Sequence, residues 1–198
     1  MNAFNQAILK RRSRYELSRE TTMTDSELQA RLAETLKHMP SPYHAQHQRM
    51  VLLLGEKHDA LWDIVLATLK KRITPEKFKK TKEKIAGFKH AYGTVLFFDD
   101  WPTIEALQAK FPKAKEKWEL WANQSQGMAQ FAVWTMLADA GLGASLQHYN
   151  PIIDDEVEAT FKVPKGWRLA AQMPFGKPTG SPKDKTFKPI EERFLIRK

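Results

Sequence analysis

Apolar positions along this chain follow a helical period in some stretches and run unbroken in others, and the succession of the two predicts a domain of mixed helices and strands. Ala3 to Lys10 carries Phe4, Ala7 and Ile8 on one side, a short helix. Thr24-Asp25-Ser26-Glu27 has the form of a capping box and opens a helix with Leu28, Leu32 and Leu36 at a spacing of four, ending before Pro40. Met50 to Leu54 reads as a strand, and after Gly55 a helix from about Glu56 to Leu69 buries Leu61, Trp62, Val65 and Leu69. Pro75 starts another, with Phe78, Ile85 and Phe88 inward. The unbroken run Thr94-Val95-Leu96-Phe97-Phe98 predicts a strand buried on both faces, central in its sheet. Asp99-Asp100-Trp101-Pro102 then reads as a turn and helix start, and that helix ends near Phe111-Pro112.

The longest apolar segment begins at Trp118. Between Met128 and Ala140 only Gln130, Thr135 and Asp139 are clearly polar, which predicts a central helix with no solvent face. The polar run Asn123 to Gln126 keeps it too short to span a membrane. Gly141 to Pro151 follows as a glycine-hinged segment, with Asn150 as an N-cap, Pro151 at the first helical position and Asp154, Asp155 and Glu156 in the first turn. This junction reads two ways, as backbone N–H groups presented to a flat ligand or as a helix cap followed by a core strand. Beyond a helix to about Phe161 and a turn at Pro164 to Gly166, Trp167 to Met173 is a strand. Pro174 to Pro189, with four prolines and two glycines, predicts an extended arm, and Ile190 to Ile196 returns to a strand pattern with Ile190, Phe194 and Ile196 on one face. A strand at the end of an arm fits the sheet of a second subunit, hence an intertwined homodimer; a basic floppy tail is the alternative.

Composition narrows the picture. A chain of 198 residues, 42% hydrophobic and 28% charged, has the material for one domain, residues 1–198. Without cysteine there is no disulfide framework, thiolate nucleophile or iron–sulfur cluster, and the N-terminus lacks the apolar core of a secretory signal, so the expected home is the cytoplasm. A net charge of +9 calls for an anionic partner: nucleic acid, a membrane surface or a phosphate-bearing cofactor. Lys70 to Lys89 holds nine basic residues against Glu76 and Glu83, but aromatics do not alternate with them, which favours a solvated basic face over a nucleic-acid surface.

Two stretches carry candidate chemistry. Arg11-Arg12-Ser13-Arg14-Tyr15 is a compact receiver for an oxyanion, or else a solvated helix end. Pro40-Ser41-Pro42-Tyr43-His44-Ala45-Gln46-His47-Gln48-Arg49 offers a polar rim for a heteroaromatic ligand; His44 and His47 lack the cysteines or neighbouring carboxylates that would complete a metal site. Gly141-Leu142-Gly143 is not completed by a third glycine at Leu146, and no Walker loop, nucleophile elbow or triad is present.

Arg11-Arg12-Ser13 after a short helix, Pro40 to Gln46 before a strand, the hinged Gly141 to Pro151 segment and an arm ending in Glu192-Arg193 together resemble the flavin-binding elements of the nitroreductase family, in particular the short branch of the fungal fatty-acid-repression-mutant proteins and their bacterial relatives. The resemblance extends over essentially the whole chain. It implies an α+β fold with a central, mostly antiparallel sheet flanked by helices, and an intertwined homodimer in which residues 174–198 reach the partner. It also implies one FMN per site, NAD(P)H as donor and a small-molecule electron acceptor reduced in two-electron ping-pong steps, with no nucleic acid, membrane or metal involved. Arg11, Arg12, Ser13 and Tyr15 would lie at the FMN phosphate and ribityl end, joined by Arg193 and Lys177. Ser41, His44 and Gln46 of the other subunit would line the ring and ribityl chain, and the backbone of Leu146, Gln147, His148 and Tyr149 would sit beside flavin N5 and O4. The chain departs from its relatives at His44, where they commonly have asparagine, and at Pro42, where they have a second serine. A regulatory or stress-response flavoprotein with little turnover is the alternative function.

Overall fold

The predicted central strand organises the protein, whose residues 2–198 are described by a computed structural model. In chain order come α1 (Ala3–Lys10), β1 (Leu17–Ser18), α2 (Asp25–Lys37), a 3-10 turn (Pro42–His44), β2 (Gln48–Leu54), α3 (Gly55–Lys70), α4 (Pro75–Lys89), β3 (Gly93–Asp100), α5 (Trp101–Lys110), α6 (Lys115–Asp139), β4 (Gly143–Ala144), α7 (Asp154–Phe161) and β5 (Trp167–Pro178). The sheet runs β1-β5-β3-β2, with β4 also paired to β5, and every named pairing is antiparallel. Along β3 the side chains alternate, so Val95 and Phe97 enter one core and Leu96 and Phe98 the other. Leu28 and Leu32 of α2 with Val133 and Leu137 of α6 close the first. Leu61, Trp62 and Val65 of α3, Ile85 and Phe88 of α4 and Val157 of α7 close the second. Helices on both faces are the reason β3 has no polar alternation.

Local chemistry explains the helix starts. Thr24 Oγ1 accepts from Glu27 N at 3.3 Å while the Glu27 carboxylate accepts from Thr24 N at 2.8 Å, so the capping box forms as expected. Asn2 caps α1 in the same way through Asn5 N at 2.9 Å. β1 lies so close to β5 that a Cβ on Gly176 would sit 2.3 Å from the Ser18 carbonyl oxygen, so this position admits only glycine.

Five expectations change. Asp99 and Asp100 belong to β3 and not to a turn. α6 continues through Asn123 to Gln126 but is covered on one side only: Leu120, Met128 and Phe131 are exposed, an apolar stripe that one chain leaves uncovered. Asn150 is no N-cap; its bond to Pro151 is cis, α7 starts at Asp154, and the Asn150 side chain accepts instead from Gln172 Nε2 at 3.2 Å. Finally, β5 extends to Pro178 with Phe175 fully buried, so the arm begins five residues later than its prolines imply. The end of the arm forms no strand: Ile190–Glu192 is a 3-10 turn and Phe194 to Ile196 lie exposed, because within one chain no sheet edge meets them.

The first turn of α7 holds a titratable position. Asp154 Oδ1 is buried without a partner, and burial, followed by the nearby Asp155, pushes the carboxyl up to about 6 from 3.8. A raised folded-state pKa means the protein prefers the protonated acid, so ionisation costs stability progressively as pH rises from 3.8 to about 6. Asp154→Asn should therefore raise the melting temperature near neutral pH and change it little at about pH 4. Equal shifts at both pH values in thermal melts would show that the carboxylate charge is not the cause.

Candidate functional site

The turn after α1 is stitched to β4: Arg14 N donates to Ala144 O at 2.9 Å, and Ser13 forms a parallel bridge with Ala144. This holds the arginine run against the C-terminal half of α6. The Arg11 guanidinium lies 4.5 Å from the Trp134 ring centroid, its Nε is buried without a partner, and burial together with the adjacent Arg12 lowers its pKa. Arg12 donates to the Lys183 carbonyl and Arg14 Nη1 to Gly180 O at 2.8 Å, which draws residues 180–185 over the turn. Arg12, Ser13, Arg14, Tyr15 and Glu16 with that part of the arm, Asp184 and Lys185 included, line a cavity of about 350 Å³. Lys185 enters the same field; its pKa is lowered by desolvation and then by Arg12 and Arg11. Among the described residues no carboxylate forms an ion pair with Arg11, Arg12 or Arg14. Arginines free of ion pairs, an orphaned guanidinium nitrogen and a serine hydroxyl fit a phosphate dianion.

From Ala144 the chain runs on beside β5. Ser145 N donates to Pro174 O at 3.3 Å and Gln147 N to Gln172 O at 2.8 Å, while Tyr149 N reaches the Gln172 side chain at 2.7 Å. In an antiparallel ladder the intervening groups face the other way, so the N–H groups of Leu146 and His148 point off the sheet edge. The side chains are divided: Leu146 packs on the first core, Gln147 donates to Ser145 Oγ at 3.0 Å, and Tyr149 enters the second core edge-on to Trp62 at 6.0 Å, where burial lifts its phenol to about 12. Only His148 is exposed. The segment therefore offers two backbone donors and one imidazole.

The loop before β2 has an unusual backbone. Tyr43, His44 and Gln46 all have left-handed φ, at 52°, 55° and 50°. Such conformations cost roughly 1 to 2 kcal/mol per residue and collect at functional loops. Gln46 N donates to Ser41 Oγ at 2.9 Å, the His44 ring meets the Gln46 amide, and the Tyr43 ring leans on Phe111 and Trp118 at 5.0 and 5.5 Å. Histidine is enriched in the left-handed region, which fits His44 to this backbone. His47 is separate from the rim: it is buried, with Nδ1 bonded to Asp99 Oδ1 at 2.9 Å.

Past His148 lies a polar cleft of about 370 Å³ between the middle of α6 and the ends of β3 and β5, lined by Asp99, Gln126, Gln130, His148, Asn150 and Arg168 among others. Gln126 Nε2 donates to Asp99 Oδ1 at 3.0 Å and to Phe98 O at 2.8 Å. The Arg168 guanidinium caps the Trp101 ring at 3.5 Å from its centroid.

The family model described as the nitroreductase family matches residues 8–177, most of the chain, from the last turn of α1 to the end of β5. The chain belongs to the nitroreductase family. The family makes this chain a nitroreductase-like oxidoreductase with the α+β fold that its sequence implied. It is 32% identical to HBN1 of Saccharomyces cerevisiae over 172 residues, 87% of this chain and 84% of that one, and 33% identical to nitroreductase FRM2 of the same yeast over 77% and 75%. Nitroreductase CinD from Lactococcus lactis, solved in complex with chloramphenicol, superposes with a TM-score of 0.90 at 33% identity, covering 98% of this chain and all of CinD.

Within this nitroreductase the expected site residues fall into separate groups. Arg11, Arg12, Ser13 and Tyr15 gather at one end of α6. Ser41 sits at the other end, lining a groove of about 330 Å³ with Trp121, Ser125 and Met128. Arg11 lies over Trp134 while Gln48 donates to Pro40 O and Ser125 O, so the two groups are nine helical residues apart, about 13 Å. Lys177 is paired with Glu20 at 2.9 Å beside β1, and Arg193 is exposed on the arm. The residues that sequence reasoning missed are Asp99, Gln126 and Arg168. A glutamine inside an apolar helix and an acid closing an unbroken strand were the available signals.

Proposed function

We propose that this nitroreductase is an FMN-dependent NAD(P)H oxidoreductase that reduces nitroaromatics, quinones or similar acceptors in two-electron ping-pong steps as a cytoplasmic, intertwined homodimer. The observation that carries the reading is the cavity lined by Arg12 to Tyr15, whose arginines form no ion pair among the described residues, with the buried, unpaired Nε of Arg11 next to it in the same turn. Arg11, Arg12 and Ser13 would hold the phosphate, with Tyr15 at the cavity wall and Arg193 and Lys177 adding charge. The flavin, when bound, supplies the electron transfer from nicotinamide to acceptor. The chain's own part is to bind, orient and exclude water. Leu146 and His148 turn N–H groups toward the open edge, where a flat ring's polar atoms would be met. From Ala144 to His148 is four extended residues, about 13 Å, which carries a ligand anchored at Ser13 toward the polar cleft.

Support for the acceptor class comes from CinD, which has been solved with chloramphenicol, 4-nitrophenol and nicotinic acid, two nitroaromatics and a pyridine ring. Donor and acceptor rings of this kind would visit one site in turn, since the chain has no second nucleotide fingerprint. Dimerisation is supported by the exposed stripe Leu120, Met128 and Phe131 on α6 and by the exposed Phe194, Leu195 and Ile196 on the arm. In the dimer Ser41, His44 and Gln46 would serve the partner's site. Among the described residues no helix is long and apolar enough to cross a membrane.

Purified protein should be yellow, with about one flavin per chain that is released on denaturation as FMN and not FAD. Initial rates against NAD(P)H at several acceptor concentrations should give parallel double-reciprocal lines. Colourless protein that takes up no added FMN would overturn the reading, and intersecting lines would overturn the shared site.

A further inference from the structure

Reducing a nitro group to nitroso consumes two electrons and two protons and releases water, whereas NAD(P)H supplies two electrons and one proton. The second proton comes from solvent and must reach an oxygen of the acceptor. The cleft beyond His148 contains a group suited to that task. Asp99 is 5% exposed, His47 behind it 1% and Gln126 beside it 2%. Both His47 Nδ1 and Gln126 Nε2 bond to the same carboxylate oxygen, Oδ1, at 2.9 and 3.0 Å, which leaves Oδ2 for the cleft that Asp99 lines. Two polar atoms of this trio, His47 Nε2 and Gln126 Oε1, are buried without a partner. A network that served only to tie β2, β3 and α6 together would be expected to satisfy them.

We propose that Asp99, backed by His47, is the proton donor to acceptors reduced in this cleft, a proposal that rests on the oxidoreductase reading above. In the proton-loaded form of the pair both ring nitrogens of His47 carry hydrogen, and Nδ1–H lies on Asp99 Oδ1 at 2.9 Å. As negative charge develops on the acceptor oxygen, Asp99 takes the Nδ1 proton and passes one on. This leaves His47 neutral with its hydrogen on Nε2, and a solvent proton entering through the cleft restores the pair. For a nitro acceptor this proton and the one from NAD(P)H leave in the water formed when the N–O bond breaks. Arg168, directly opposite Asp99 in the β3–β5 register, supplies the positive charge that holds the reacting oxygen. Besides His47 and Arg168, the titratable groups around Asp99 are Glu119 and His148, which line the same cleft.

The test compares two acceptors of one flavin-loaded protein. 4-Nitrophenol needs protons; ferricyanide takes single electrons and none. Asp99→Asn keeps an oxygen for His47 and Gln126 but cannot relay a proton, so NAD(P)H-dependent turnover of 4-nitrophenol should fall by about a hundredfold. Ferricyanide turnover and flavin content should stay within about twofold of the parent. His47→Asn, which retains a donor but does not titrate, should lower the same ratio and flatten the pH dependence of nitro reduction; it carries the test if Asp99→Asn does not fold. Parallel loss with both acceptors would make the trio structural and overturn the proposal, as would unchanged nitro reduction. A parent protein that reduces neither acceptor with FMN bound would instead overturn the oxidoreductase reading itself, and the proton donor with it.

Discussion

Arg11→Ala should bind FMN ten- to a hundredfold more weakly, yet recover most of its turnover when FMN is saturating. The size follows from losing one charge-assisted contact to phosphate, about 1.5 to 3 kcal/mol, at roughly 1.4 kcal/mol per tenfold. The separation of binding from turnover follows from placement. Arg11 sits over Trp134 at the end of α6 next to Ser13, whereas the polar cleft opens near Gln126 and His148, farther along the chain from Ala144. Its buried Nε has no partner in its own chain, so its donor is free for the phosphate, while Arg12 and Ser13 remain in the variant to limit the loss. Arg11→Lys should fall between, since an ammonium keeps the charge but not the fork. Flavin fluorescence titration gives the affinity, and kcat at several FMN concentrations gives the rest. A low kcat that persists at saturating FMN would place Arg11 in the chemistry and not in retention.

Deleting residues 179–198 should leave a folded sheet and yet abolish both dimer and colour. The cut falls after β5, whose last residue, Pro178, pairs with Leu17, so no strand is lost. What goes is the carbonyl partner of Arg12 at Lys183 and that of Arg14 at Gly180, the wall of the cationic cavity, Arg193, and the exposed Phe187, Ile190, Phe194, Leu195 and Ile196. Beyond residue 185 these apolar side chains stay exposed on their own chain, as the proposed dimer requires of a segment that a second copy would cover. Sedimentation velocity with absorbance at the flavin band reads both effects together. A truncated protein that sediments as a dimer and stays yellow would show that the arm is neither interface nor cofactor wall.

The periodicity of the chain revealed the elements far better than it revealed their covering. Leu28 and Leu32, Leu61, Trp62 and Val65, and Ile85 and Phe88 fall on inward helix faces by spacing alone and are buried as expected, and the run at 94–98 is the central strand. These positions depend on local period and on one chain. Errors came where a second determinant intervenes. Met128 and Phe131 read as core because sequence does not say whether an apolar face meets its own domain or another copy. Asn150-Pro151 has the composition of a helix start, but the tertiary bond from Gln172 holds Asn150 outside α7. Pro174 and Gly176 look like arm, yet Gly176 is required by the approach of β1, a contact made across more than 150 residues. At the site, the arginine run was legible because its chemistry is contiguous. The Asp99, His47, Gln126 group was not, since it assembles from β3, the loop before β2 and α6, and each residue alone has an ordinary explanation.

α6 gives the molecule a built-in division of labour. Its C-terminal half carries Trp134 under Arg11, its middle presents Gln126, Gly127 and Gln130 to the cleft, and its N-terminal half carries Trp118 and Trp121 beside the Ser41 loop. A rigid helix fixes the spacing of these stations at 1.5 Å per residue, so a substitution at one does not displace the others. On the proposed reading the mid-helix positions are therefore free to drift toward new acceptors while the phosphate grip assigned to Arg11 stays constant, and a lineage built on this helix could diversify its chemistry one turn at a time.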